Sequence, residues 1–76
     1  MLGLKLEIEK MIKQYDVKIE NSDFLVEKYR KVIAVNRKNG FDEENKIYRK
    51  DRAIEQARRQ AYVQAKYDLD SLFDYI

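Results

Sequence analysis

Residues 36–45, "NRKNGFDEEN", decide the fold. Gly40 suits the left-handed position just past a helix end, because a residue without a Cβ takes positive φ at no steric cost. Arg37 and Lys38 before it suit the negative end of a helix dipole. Asp42 after it suits an N-cap, with Glu43 and Glu44 in the first turn. The stretch reads as helix, tight turn, helix, and places a chain reversal near the middle of the sequence. Asn39-Gly40 is also a signal for a turn between two strands, so the flanking residues must decide.

Upstream, steps of four and three residues from Ile8 land on Ile12, Tyr15, Ile19, Ser22, Val26, Tyr29 and Ile33. That is an unbroken heptad seam, and it predicts one long helix over about 4–38. A strand over "KVIAV" accounts for five residues, whereas the seam accounts for twenty-six. Asn21, Ser22 and Asp23 are poor helix-interior residues and good caps, so a break there is the alternative within this half. The turn is expected over about 39–42.

Downstream, the apolar series Ile47, Ile54, Ala57, Ala61, Ala65, Leu69, Leu72 and Ile76 advances close to 3.6 residues per step and predicts a second helix over about 43–75. Folding back at Gly40 sets residues whose numbers sum to about 80 opposite one another. Tyr15 is then expected against Ala65, Ile19 against Ala61, Val26 against Ile54, Ile33 against Ile47, and Ile8 against Leu72. Bulky residues of the first helix would nest on methyl groups of the second. The expected class is all-α, a single antiparallel hairpin domain over residues 1–76.

Composition limits what such a hairpin can do. The 76 residues include no cysteine, histidine or proline, so a disulfide framework, a zinc site and a c-type haem are excluded, and no cofactor is expected. A core this small contributes about 3–5 kcal/mol at best, and self-association is the support left. Leu4, Met11, Leu25 and Val32 form a second stripe beside the seam, interrupted by Lys18, and Tyr62 falls outside the pairing. These residues predict a homodimer, a four-helix bundle. Without histidine or cysteine, catalysis would need a marked carboxylate pair, an activated lysine or a tyrosine. None is marked, so a non-enzyme with no small-molecule substrate is expected.

The net charge of +2 does not by itself point to nucleic acid. Lys46, Arg49, Arg52, Arg58, Arg59 and Lys66 nevertheless crowd the second helix. Tyr48, Arg52, Arg59, Tyr62 and Lys66 lie near one face, and Glu55 interrupts it. A DNA-associated protein using that basic helix is one alternative, and a solvated amphipathic surface is the other reading of the same residues. The tail "YDLDSLFDYI" carries Asp68, Asp70 and Asp74 beside Leu69, Leu72, Phe73, Tyr75 and Ile76. Negative charge is unfavourable at a helix C-terminus. The tail reads first as an apolar cap on the open end of the bundle, and compatibly with that as an acidic docking element for a partner groove.

Ser71-Leu72-Phe73 resembles the end of short peptides that dock on bacterial sliding clamps, without their leading glutamine. Gly40-Phe41 followed by "LDSLF" is similar to small hairpin phosphatases of sporulation response regulators, whose serine four residues before the aspartate is Lys66 here. Neither resemblance spans enough of the chain to carry a function across.

No apolar run approaches the roughly 18 residues needed to cross a bilayer. Lys5, Glu7, Glu9 and Lys10 would interrupt a signal peptide, so a cytoplasmic location without membrane contact is expected. Frequent Lys, Ile, Asn and Tyr suggest an AT-rich genome, as in many bacteria and phages. The functional expectation is a small regulator or inhibitor that docks on a host or cellular protein. A structural assembly factor, such as a virion component, is a further alternative.

Overall fold

The computed structural model describes residues 2–76. Helix α1 runs over Leu2–Lys38, a single 3₁₀ turn over Asp42–Glu44, and helix α2 over Asn45–Tyr75. The two helices pack against each other as a rod of about 59 × 14 × 13 Å. The chain is an all-helical hairpin.

Backbone hydrogen bonds lock the reversal. The Phe41 amide donates to the Asn36 carbonyl at 2.7 Å and the Gly40 amide to the Arg37 carbonyl at 3.3 Å. This pair of bonds ends α1 and requires a left-handed residue, which Gly40 supplies at φ +81°. Asp42 makes no cap with its side chain. Its carboxylate instead accepts from Asn45 Nδ2 at 3.1 Å and Arg49 Nη2 at 2.7 Å, tying the turn to the first two turns of α2.

Helix α1 is continuous through Asn21, Ser22 and Asp23. The polar groups that could have capped a break find partners across the hairpin instead. Ser22 Oγ donates to Glu55 Oε1 at 2.8 Å, and Asp23 accepts from Arg59 Nε.

Burial follows a strict heptad in both helices. In α1 the a positions are Lys5, Ile12, Ile19, Val26 and Ile33, and the d positions are Ile8, Tyr15, Ser22, Tyr29 and Asn36; every one is buried or half-buried. In α2 the same holds for Asn45, Arg52, Arg59, Lys66 and Phe73 at a, and for Tyr48, Glu55, Tyr62, Leu69 and Ile76 at d. The α1 seam is the one its sequence spacing marks.

The α2 seam is different from the expected one, and this is a correction. Ile47, Ile54, Ala57, Ala61 and Leu72 are exposed, and Ala65, Leu69 and Ile76 are half-buried. The axial register is close to the expected one: the aromatic pairs Tyr15–Tyr62, with ring centroids 6.0 Å apart, and Tyr29–Tyr48, at 6.3 Å, fall slightly below it, and the ion pairs Asp16–Lys66 and Asp23–Arg59 slightly above it. What differs is the face that α2 turns toward α1, by roughly one heptad position. The physical reason is periodicity. The heptad seam repeats every 3.5 residues while the alanine series advances nearer 3.6, so that series starts on the outer flank near the turn and reaches the seam only at Leu69.

The interior is consequently half polar. Ile8 and Ile33 are the buried apolar residues among those described, at 3% and 6% exposure. Asn45 is fully closed off, donating to the Ile33 carbonyl and Asp42 and accepting from Asn36 Nδ2 at 3.0 Å. Among the described residues, no buried side-chain polar atom lacks a partner.

Candidate interaction surface

In an antiparallel pair of helices, positions flanking d on one helix face the same positions on the other. The heptad therefore gives the hairpin two unlike sides. One side carries the g residues Leu4, Met11, Lys18, Leu25 and Val32 of α1 with Asp51, Arg58, Ala65 and Leu72 of α2. A shallow groove lined by Met11, Tyr15, Ala65, Asp68, Leu69 and Leu72 lies there, so the two g flanks do share a side. Next to it on α2 lie Ile47, Ile54 and Ala61 at the c positions. Ile47 is 69% exposed and Ile54 46%, while Leu4, Met11 and Leu72 are also open. Leu25, Val32 and Ala65 are half-buried.

The opposite side is closed by ions. Asp23 pairs with Arg59 and Asp16 with Lys66, the latter at 2.5 Å, so e-position carboxylates of α1 reach a-position cations of α2. The Asp16 carboxylate, first by its hydrogen bond and then by its charge, with Asp70 adding to it, pushes the Lys66 ammonium above its ordinary range. At the turn, the hydrogen bond from Asn45 and the charges of Arg49 and Arg37 hold the Asp42 carboxyl below the usual carboxylate range, against slight desolvation. On α1, the hydrogen bond from Arg30 lowers Glu27 likewise.

The basic face of α2 is a second correction. Tyr48, Arg52, Arg59, Tyr62 and Lys66 do share a face, but that face is the seam against α1. Arg59 and Lys66 carry their charges across to Asp23 and Asp16 of α1. Lys46 pairs with Glu43, Arg49 with Asp42, and Arg58 with Glu55. Tyr62 likewise leaves the self-association stripe. It packs on Tyr15, and the Lys18 ammonium stands over both rings at 5.0 and 5.6 Å from their centroids.

The tail divides by the same rule. Leu69, Phe73 and Ile76 turn toward α1, where the Lys5 ammonium lies 5.3 Å from the Phe73 ring centroid. Asp70, Leu72 and Tyr75 point outward, Tyr75 at 90% exposure, and Tyr67 joins them. Sequence reasoning passed over Tyr67 because it lies outside the seam and the apolar series alike. It also passed over Phe24, which stands exposed on α1 above Glu27, Lys28, Lys31 and Val32.

Among the described residues, no helix is long and apolar enough to cross a membrane. No protein-family model matches the chain, and neither a curated protein nor a solved structure matches it.

Proposed function

We propose that this chain is a non-enzymatic protein-binding hairpin of a bacterium or phage: a small cytoplasmic regulator or inhibitor that pairs with a second copy as a four-helix bundle and docks on a partner protein. One observation carries the reading. Leu4, Met11, Ile47, Ile54 and Leu72 leave an uncovered apolar strip along one side of the rod, whereas the opposite side carries the cross-helix ion pairs of Asp16 with Lys66 and Asp23 with Arg59. Ile8 and Ile33, the buried apolar residues among those described, are a small core for a chain of this length, and burying the exposed side against a copy at about 25 cal/mol per Å² supplies what the hairpin lacks. The outward Tyr67, Asp70, Leu72 and Tyr75 give the open end the acidic, aromatic character of a docking element. Engagement of α2 cations with carboxylates weighs against the DNA-associated alternative.

A photo-crosslinking residue placed at Tyr67 or Tyr75 in cells tests the docking. A discrete adduct with one other protein, competed by untagged chain and lost in Asp70→Lys, is expected. Adducts with nucleic acid, or only between copies of the chain, would overturn the regulator reading. Growth of oligomers without limit as concentration rises would point to the assembly-factor alternative.

A further inference from the structure

The uncovered c stripe of α2 has a symmetry of its own. Ile54 stands at its centre, with Ile47 seven residues before and Ala61 seven after; Asp51 lies three before and Arg58 four after, both on the g flank. We infer that two copies meet antiparallel along this stripe, on a two-fold axis at Ile54. The inference rests on the homodimer proposed above and fixes its geometry.

Residues equidistant from the axis come together in such a pair. Ile54 meets its own copy. Ile47 meets Ala61 of the second copy, a bulky side chain over a methyl group, which lets the helices approach closely. Asp51 meets Arg58 of the second copy on one flank, twice by symmetry. A parallel pair would place the two g flanks on opposite sides of the interface, so the Asp51 and Arg58 pairing forms only in the antiparallel arrangement.

The ends agree. After Lys66, α2 carries Asp68, Asp70 and Asp74 and no cation of its own, while α1 carries Lys28, Lys31, Arg37 and Lys38 toward the turn. Antiparallel docking sets the acidic end of each hairpin beside the basic stretch of the other.

The chain has no cysteine, so single substitutions report the geometry directly. Ile54→Cys is expected to form a disulfide-linked dimer on mild oxidation, well above the level of Gln60→Cys, which is exposed and off the stripe. Ile47→Cys alone is expected to stay uncrosslinked, because its two copies would lie about 21 Å apart. Mixed with Ala61→Cys, it is expected to give the heterodimer. Ile54→Lys is expected to weaken the dimer about 100-fold by light scattering while far-ultraviolet circular dichroism stays helical. A dimer in which Ile54→Cys fails to crosslink, or Ile47→Cys links to itself, overturns this geometry and leaves the homodimer standing. A monomer at every concentration overturns both.

Discussion

Ser22 and Glu55 join the two helices through one hydrogen bond of 2.8 Å, at 1% and 6% exposure respectively. A serine and a carboxylate thus occupy d positions that a hydrophobic seam would fill with leucine. Arg58 Nη1, half exposed, completes the site by donating to the second Glu55 oxygen at 3.2 Å. A buried polar pair of this kind fixes register more than it adds stability, because any slip leaves both partners unpaired.

Removing one partner should therefore cost more than removing both. Ser22→Ala is expected to destabilise the hairpin by about 1–3 kcal/mol, leaving one Glu55 oxygen without its donor. Ser22→Ala combined with Glu55→Leu is expected to recover most of that loss or exceed wild-type stability. Urea unfolding followed by circular dichroism measures both, and a double variant as unstable as the sum of the single ones would refute the account.

Gly40 sets a second expectation. Nothing lies within 4 Å of a Cβ built there, so the cost of a substitution is conformational and not steric crowding. At φ +81° the Gly40→Ala variant is expected to lose about 1–2 kcal/mol. Gly40→Asn should lose less, since asparagine tolerates the left-handed region, and Gly40→Val more. Equal effects of all three on the thermal midpoint would mean that the turn adopts another conformation in solution.

The turn and the α1 seam were legible because the residues that make them are the usual ones: a glycine after Arg37 and Lys38, and Ile8, Ile12, Tyr15, Ile19, Val26 and Ile33 at heptad spacing. Helix α2 was not, because its inward face is Asn45, Arg52, Glu55, Arg59 and Lys66. Hydrophobic periodicity treats such residues as solvent-facing and so selects the exposed stripe of Ile47, Ile54, Ala57 and Ala61. A usable signal was nevertheless present in pairs. Tyr15 with Tyr62, Tyr29 with Tyr48, Asp16 with Lys66 and Asp23 with Arg59 are complementary on either side of the expected register, and together they mark Tyr48, Arg59, Tyr62 and Lys66 as the inward face of α2.

Charge also bounds the pH range of the fold. The Asp42 carboxyl is lower in the folded chain than its ordinary 3.8, so its contribution is present above that value and is lost as pH falls through the depressed one. Glu27, held below 4.5, acts in the same direction within α1. Lys66 is raised above 10.5, so its contribution is whole below that value and is lost as pH climbs through the raised one. With no histidine in the chain, stability is expected to be flat between about pH 5 and 9 and to fall on both sides. Asp42→Asn should flatten the acid limb and Lys66→Met the alkaline limb, each read as the urea midpoint against pH. An acid limb unchanged by Asp42→Asn would remove Asp42 from the account.

The register itself is open to direct measurement through Tyr15 and Tyr62. Their rings lie 6.0 Å apart at a tilt of 48°, within the range where aromatic pairs attract beyond the area they bury. A double-mutant cycle with Tyr15→Leu and Tyr62→Leu is expected to give a coupling of about 0.5–1.5 kcal/mol. Lys18 shares both rings, so part of that coupling should persist at low salt and shrink when Lys18→Met is added to every corner. The face of α2 first expected from sequence makes a different forecast, since it sets Ile33 against Ile47. Ile33→Ala should cost about 2–4 kcal/mol, its side chain being buried, and should do so equally whether residue 47 is isoleucine or alanine. Strong coupling between Ile33 and Ile47 with none between the tyrosines would restore the rejected face of α2 and displace the heptad seam on which the two-sided rod depends.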